Sequence, residues 1–273
     1  MCAAFRASDP PPLISSRRNP LVRQLRQLHT PAGRRQQALL LLEGTHLVQE
    51  ALRLGLAPRQ VLATPQWCER HGSLLAALST TPILVSQDVL AAVATTDHPD
   101  GVVLTLSPPQ PSQQAGDFVL VLDGIQDPGN LGTLLRTALA AGIAQVWLAG
   151  GADPLQPKVL RASAGAALAL PLRRLEREAV IALILQASAA GSQVVAAVPP
   201  AAAGSRPYWE LDWRLPTLLL LGAEGPGLSP ALQQLATARV CIPHSDAVES
   251  LNVAVAAAPL LLERHRQERM PGI

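Results

Sequence analysis

The sequence predicts an α/β protein with two domains, a small α/β sandwich followed by a larger parallel sheet with helices on both faces. Two observations support this prediction. Short apolar runs alternate with helix-like segments along both halves of the chain, and a proline- and glutamine-rich segment, residues 107–116, separates the halves. The 273 residues suffice for two ordinary domains, and a content of 48% apolar but only 3% aromatic residues predicts cores of Leu, Ala and Val.

The N-terminal segment is strongly basic. Residues 1–36 hold seven arginines against one acid, Asp9, so this segment carries +6 and the rest of the chain, whose total is +2, carries −4. A basic arm ahead of a mildly acidic body favours a polyanionic partner, although a solvated tail shows the same pattern. Residues 1–14 are expected to be disordered because Pro10–Pro12 prevent regular structure.

The sandwich is predicted to cover residues 15–106 and to begin with a short amphipathic basic helix. Asn19 is suited to cap this helix, Pro20 suits its first turn, and apolar residues recur along one face up to Leu28. An ordinary surface helix is the alternative interpretation. Further along, strands are predicted at 39–42, 61–64, 83–85 and 102–106, and helices at 47–54, 67–78 and 89–93.

The second domain is predicted to cover residues 117–273. Its apolar runs lack alternation, which is typical of parallel strands that are covered on both faces. Residues 199–206 are expected to form a flexible loop, and Pro259 is expected to kink the last helix or to remove one of its hydrogen bonds. Strands are predicted at 118–122, 146–148, 193–198, 218–221 and 238–242, and helices at 130–141, from about 158, at 177–190, after 229 and from about 252.

Three segments at predicted strand ends carry the polar and glycine residues of a candidate site, namely residues 127–136, 222–227 and 242–252. Glycines after a strand are as often a simple turn as a ligand loop. The glycine run reads GxxGxG near the C-terminus, which matches neither the GxGxxG pattern of nicotinamide dinucleotide enzymes nor a P-loop. A nicotinamide-dependent oxidoreductase is therefore disfavoured.

In this order, the three segments resemble the motifs of the SpoU/TrmH family of RNA ribose 2′-O-methyltransferases, within the SPOUT superfamily. Residues 157–165 look like a further stretch of that family, and Ser15–Leu28, Glu43-Gly44 and residues 99–102 resemble its N-terminal substrate-binding domain. The resemblance covers about residues 14–265. It implies a trefoil-knotted catalytic domain, a homodimer and S-adenosylmethionine as the methyl donor, without a metal.

The resemblance also assigns residues to the cofactor and to the RNA. Cofactor contacts, largely from the backbone, fall on Gly222, Ile242 and Leu251, with nearby positions Ala197, Val198 and Gly227. Contacts to the RNA are expected from Arg18, Arg23, Arg26, Lys158 and Arg161. His46 and His244 have open roles, and His244 fits a loop side chain at the pocket mouth better than a catalytic group.

The family's catalytic positions fall on Arg136, Asn130, Glu224, Ser250 and Asn252. A guanidinium stays protonated, so we expect Arg136 to stabilise the developing alkoxide or to hold a phosphate rather than to act as a base. Asn130 would orient Arg136 or the ribose. Ser250 and Asn252 have a structural alternative, which is to cap the last helix.

Ribosomal RNA is the expected substrate, since a separate N-terminal domain favours it over transfer RNA by analogy. A transfer RNA methyltransferase and a non-catalytic RNA-binding protein of the same fold remain the alternatives. Cys2, Cys68 and Cys241 are isolated, which predicts neither a zinc site nor disulfides and fits a reducing cytoplasm. No apolar segment is long enough to be a signal core or to span a membrane.

Overall fold

The computed structural model describes residues 12–110 and 116–269, and the chain divides into two compact units between Pro108 and Pro109. Most of the segment predicted to be disordered, and residues 111–115 of the predicted linker, lie outside the described residues. Ile14 forms a parallel bridge with Val85, so regular pairing begins one residue before the predicted start of the first domain.

The first unit contains a four-stranded mixed sheet. Its strands are β1 (Leu40–Glu43), β2 (Gln60–Ala63), β3 (Ile83–Leu84) and β4 (Val102–Leu106), in the order β1-β4-β2-β3. Strand β4 is antiparallel to both β1 and β2, whereas β2 and β3 are parallel. The helices are α1 (Pro20–Gln27), α2 (Pro31–Gln37), α3 (Thr45–Arg53), α4 (Pro65–Arg70), α5 (Gly72–Ala77) and α6 (Gln87–Val93).

Helix α1 has the predicted start and the predicted two-faced character. The Asn19 side chain accepts a hydrogen bond from the Leu21 N–H at 2.9 Å, and Pro20 follows in the first turn. The helix buries Val22 and Leu25 against α6 and exposes its arginines. Two predictions for this unit are wrong, because α2 was not expected and the single helix predicted for residues 67–78 is divided into α4 and α5.

The second unit contains a seven-stranded sheet in which every pair is parallel, in the order β7-β6-β5-β10-β8-β11-β9. The strands are β5 (Phe118–Asp123), β6 (Gln145–Ala149), β7 (Leu172–Leu175), β8 (Gln193–Ala197), β9 (Ser205–Pro207), β10 (Thr217–Gly222) and β11 (Ala238–Cys241). The helices are α7 (Pro128–Ala140), α8 (Pro157–Ala162), α9 (Ala166–Ala169), α10 (Arg177–Ala189), α11 (Pro230–Gln233) and α12 (Val253–Arg269), with a 3-10 helix at Tyr208–Glu210. The parallel α/β prediction is confirmed, but the edge strands β7 and β9 were missed and β9 includes the end of the loop predicted to be flexible.

The register of the central strands positions the candidate site. Gly222 at the end of β10 lies opposite Asp123 at the end of β5, and Leu220 lies opposite Ala196 of β8. The carboxyl ends of these strands therefore share one edge of the sheet, where ligands of open α/β sheets bind. Helix α7 starts just beyond β5, and α12 packs against α7.

Helix α12 continues through Pro259, so the proline does not end it. Side chains hold its last turns to the start of β5 and to the turn before β10. Arg264 forms an ion pair with Asp117 at 2.8 Å and lies over the Phe118 ring at 5.4 Å, while Gln267 accepts from the Trp213 N–H at 2.9 Å. Among the described residues, none of the helices combines the length and apolar character that a membrane crossing needs.

Candidate active site

A pocket opens at the shared carboxyl edge of β8, β10 and β11 and continues along the first turns of α12. Its walls are backbone and small or apolar side chains, with few charged groups. The lining residues are those at positions 197–200, 221–225, 227, 228, 240, 242, 244, 249–251, 253, 256 and 260. The six residues predicted for cofactor contact all lie in this wall: Ala197, Val198, Gly222, Gly227, Ile242 and Leu251.

The glycine loop after β10 folds back on itself. The Gly227 N–H donates to the Ala223 carbonyl at 2.9 Å, and these two residues form an antiparallel bridge. A Cβ atom on Gly222 would collide with the backbone of Gly227 and Leu228. Gly225 and Gly227 have φ values of 84° and 68°, which favour glycine. The glycines are therefore needed for the loop to close against the pocket.

Three predicted catalytic residues form one hydrogen-bonded cluster. Glu224 Oε1 accepts from Asn130 Nδ2 at 2.8 Å and from Asn252 Nδ2 at 2.7 Å, and Asn252 Nδ2 also lies 3.1 Å from Asn130 Oδ1. These residues come from the start of α7, the glycine loop and the residue before α12. One carboxylate thus connects all three sequence segments at the pocket edge.

Helix caps hold two members of this cluster. Asp127 accepts from the Asn130 N–H at 2.8 Å at the start of α7. Asn252 Oδ1 accepts from the Ala254 N–H at 2.9 Å at the start of α12, while Asn252 Nδ2 donates to Glu224. Asn252 therefore has both the capping contact and the site contact that its position suggested.

The two remaining predicted catalytic residues lie outside this hydrogen-bonded cluster. Ser250 lines the pocket. Arg136 is exposed on α7 and is absent from the pocket wall. The Asn130 side chain is engaged by Glu224 and Asn252, and within the described part of the chain it makes no hydrogen bond to Arg136. A direct Asn130–Arg136 contact is therefore not seen among these residues, and orientation of Arg136 or of the ribose by Asn130 stays a prediction.

The predicted RNA contacts lie in both units. Arg18, Arg23 and Arg26 are exposed at and on α1. On α8, Lys158 is exposed and Arg161 is half-buried. Helix α8 packs tightly on α7, where a Cβ on Gly132 would collide with Ala162.

Several pocket residues were missed by the sequence prediction. Ala223, Gly225 and Glu249 lie within the segments predicted to form the site but were not assigned a contact there. The lining residues outside those segments are Pro199, Pro200, Leu221, Leu228, Val240, Val253, Ala256 and Leu260. Val253, Ala256 and Leu260 recur at helical spacing after Asn252, and this periodicity was the available signal. His244 also lines the pocket, and its Nδ1 is buried without a hydrogen-bond partner among the described residues. Within residues 12–110 and 116–269, no group of three or more His, Cys, Asp or Glu could hold a metal ion.

Comparison with known proteins identifies a family for each of the two units. Residues 117–262 match the SpoU rRNA Methylase family and residues 19–104 match the MRM3-like substrate binding domain. The chain is 46% identical over 265 residues to an uncharacterised tRNA/rRNA methyltransferase of Synechocystis, covering 93% of this chain and 94% of that protein. It is 33% identical over 249 residues to the 23S rRNA (guanosine(2553)-2′-O)-methyltransferase RlmP of Bacillus subtilis, covering 91% and 97%.

Among solved structures, the AdoMet-bound rRNA methyltransferase from Sinorhizobium meliloti superimposes with a TM-score of 0.79 at 32% identity, covering 94% of this chain and 98% of that one. The fold and the presence of a substrate-binding domain before the methylase domain agree in these comparisons. The chain belongs to the SpoU rRNA methylase family.

Proposed function

We propose that this protein transfers a methyl group from S-adenosylmethionine to a ribose 2′-hydroxyl of ribosomal RNA. The observation that carries the proposal is the backbone-lined pocket joined to the Asn130–Glu224–Asn252 cluster at its edge. The relatives' names support it, since one is a 23S rRNA 2′-O-methyltransferase and one structure is an AdoMet-bound rRNA methyltransferase. The 2′-hydroxyl acceptor requires RNA rather than DNA.

The pocket residues fit this cofactor. Main-chain N–H and C=O groups at the exits of β8, β10 and β11 can read an adenine edge, and Gly222 leaves room for close approach. The carboxylates of Glu224 and Glu249 line the same pocket, which suits a cationic ligand. When bound, S-adenosylmethionine supplies a methyl group that its sulfonium has already activated.

The protein's own residues then have to align the acceptor and ease the loss of its proton. We assign the alignment of the ribose to Asn130, Asn252 and Ser250. Arg136, exposed outside the pocket wall, is available to the RNA and would stabilise the developing alkoxide or hold the adjacent phosphate.

Two measurements test the proposal. Calorimetry should show binding of S-adenosylmethionine, and ribose-methylation mapping of total RNA should show a position in ribosomal RNA that is modified only when the protein is present. If the only modified position were in transfer RNA, transfer RNA would be the substrate and the ribosomal RNA proposal would be wrong. Absence of cofactor binding would favour a non-catalytic RNA-binding protein.

We also propose a homodimer through α7 and α12. Val255 and Leu262 lie two turns apart on α12 and are 61% and 43% exposed, and Leu139 of α7 is 38% exposed. Such an apolar stripe suits a second copy of the same helix pair. Sedimentation should give a dimer for the wild type and a monomer for the double variant V255D/L262D. A monomeric wild type would contradict the proposed homodimer.

The proposed architecture has domains at residues 15–106 and 117–273, a linker at 107–116 and a trefoil knot in the second domain. A knot requires the residues before α12 to lie beside the glycine loop, and the hydrogen bond from Asn252 to Glu224 meets that requirement. Pulling the second domain from its two ends should release less contour length than an unknotted chain of that size.

We also propose a cytoplasmic location, and fractionation of cells tests it.

A further inference from the structure

A buried acid, Asp123, lies beneath the glycine loop and is not used by the site described above. Its side chain is 3% exposed at the end of β5. Its Oδ2 accepts from the Ser229 N–H at 2.7 Å, and its Oδ1 accepts from Arg177 Nη2 at 3.1 Å. A buried carboxylate is unfavourable unless it is paired and hydrogen-bonded, and both oxygens here have partners.

The position of Asp123 connects the two ends of the glycine loop. Its backbone lies opposite Gly222, the last residue of β10, where the loop begins. Its side chain holds Ser229, the N-cap of α11, where the loop ends. A distance of 2.7 Å is short for an N–H donor and is typical of a charge-assisted bond. One residue therefore fixes both the entry and the exit of the segment that carries Glu224.

We infer that Asp123 is a positioning residue that clamps the cofactor loop closed, with Arg177 as its counter-charge. Loss of the clamp frees the loop exit, and the pocket wall at Gly225, Gly227 and Leu228 and the acceptor Glu224 lose their fixed geometry. The consequence for cofactor binding rests on the proposed function. The clamp itself can be measured without any cofactor.

The chain offers a matched control on α12. Glu263 is 5% exposed and bonds Arg266 at 2.6 Å, and that arginine is 41% exposed, against 49% for Arg177. This pair resembles Asp123–Arg177 in burial and charge but lies outside the pocket wall. Removing it should cost stability without moving the cofactor loop.

The experiment compares wild type, Asp123→Ala, Asp123→Asn, Glu263→Ala and Ser229→Pro. Ser229→Pro removes the N–H donor and leaves the acid, and the Ser229 φ of −59° suits proline. Amide hydrogen exchange of residues 222–229 is measured without cofactor, and calorimetry measures the Kd for S-adenosylmethionine. Thermal melting confirms that each variant is folded.

We expect at least tenfold faster exchange in the loop and at least a tenfold higher Kd in Asp123→Ala and Ser229→Pro. Asp123→Asn should recover most of the binding because its amide oxygen still accepts from Ser229. Glu263→Ala should leave both the loop exchange and the Kd within twofold of wild type.

Unchanged loop exchange in a folded Asp123→Ala or Ser229→Pro protein overturns the clamp. An equal rise in Kd in Glu263→Ala would show a general loss of stability and overturns it too. If the wild type binds no cofactor, the proposed function fails, and the exchange rates still decide the clamp. If Asp123→Ala does not fold, Ser229→Pro decides it alone.

Discussion

At the scale of single residues, Glu224 is the point where three distant parts of the sequence meet. Asn130 and Asn252 both donate to the same oxygen, at 2.8 Å and 2.7 Å. Because the Asn130 backbone and the Asn252 side chain are also held at the starts of their helices, the carboxylate sets the direction in which the remaining polar atoms of the cluster point. The cluster is therefore suited to hold one substrate group in a single orientation.

The first prediction concerns this shared acceptor. Glu224→Ala removes it, and hydrogen bonds to charged groups contribute about 1.5–3 kcal/mol, which corresponds to about 10–150-fold in rate. We expect single-turnover RNA methylation at saturating cofactor to slow by at least tenfold. The exposed Glu178 on α10 provides the control, and Glu178→Ala should methylate RNA at the wild-type rate. A Glu224→Ala rate within twofold of wild type would exclude a catalytic role for the cluster.

The second prediction separates cofactor binding from acceptor chemistry. Arg136 lies outside the pocket wall, so Arg136→Ala should leave the Kd for S-adenosylmethionine unchanged. Loss of a positive charge that stabilises a developing oxyanion costs about 10²–10³-fold in rate. We expect that loss for Arg136→Ala and an intermediate rate for Arg136→Lys, which keeps the charge but not the planar fork. Near-normal turnover of Arg136→Ala would remove Arg136 from catalysis.

The sequence was informative about the site where chemistry and secondary structure coincide. Gly222 follows the apolar run at 218–221 and Ile242 ends the strand predicted at 238–242, so their place at strand exits was predictable. Asp123 was not recognised because it is the last residue of an ordinary buried strand, and its role depends on Ser229, more than 100 residues later in the chain. The hydrogen-bonded cluster around Glu224 was not predicted for the same reason, since hydrogen bonds between distant segments leave no local sequence pattern.

At the scale of elements, the strongly apolar strands were predictable and the edge strands were not. Strand β7 has the sequence Leu-Arg-Arg-Leu with both arginines exposed, and β9 has the sequence Ser-Arg-Pro. Short polar strands lack the hydrophobic signal because only one side packs on the sheet. Similarly, the antiparallel direction of β4 follows from tertiary pairing, which the alternation of strands and helices does not reveal.

The third prediction concerns a buried ion pair within α12. The Arg266 hydrogen bond, reinforced by Gln267 and opposed by burial, holds the pKa of Glu263 below its ordinary value. A carboxyl whose folded-state pKa is lowered stabilises the protein above its unfolded pKa of about 4.3, and this contribution is lost as the pH falls through the folded-state pKa. The unfolding free energy should therefore decline below about pH 4.3.

Urea unfolding at pH 7 and at stepwise lower pH measures this decline, with Glu263→Gln as the comparison. The variant should be less stable at pH 7 and should lose less stability in acid, because its side chain does not titrate. An equally steep acid decline in Glu263→Gln would show that other carboxyl groups cause it.

At the scale of the whole molecule, the charge distribution predicts different tasks for the two units. The basic residues of the first 36 positions precede a body with net negative charge, while the pocket and the polar cluster belong to the second unit. RNA affinity and methyl transfer should then be separable by mutation. The exposed arginines of α1 provide the test, because Arg23 and Arg26 form no ion pair within the described residues.

The fourth prediction is that R18A/R23A/R26A weakens RNA binding through the phosphate backbone alone. Each neutralised phosphate contributes about 0.7–0.9 to the slope of log affinity against log salt, so removing three contacts should lower that slope by about 2–3. Cofactor affinity should be unchanged, because the pocket wall contains none of these residues. Arg53 is an exposed arginine on α3 that pairs with Glu50 at 2.7 Å, so R53A is the control and should keep the wild-type slope.

If the triple variant also keeps that slope, α1 is an ordinary surface helix and the RNA is held by other residues. A reduced slope with an unchanged single-turnover rate at saturating RNA would show that α1 recruits the substrate while the second unit performs the transfer.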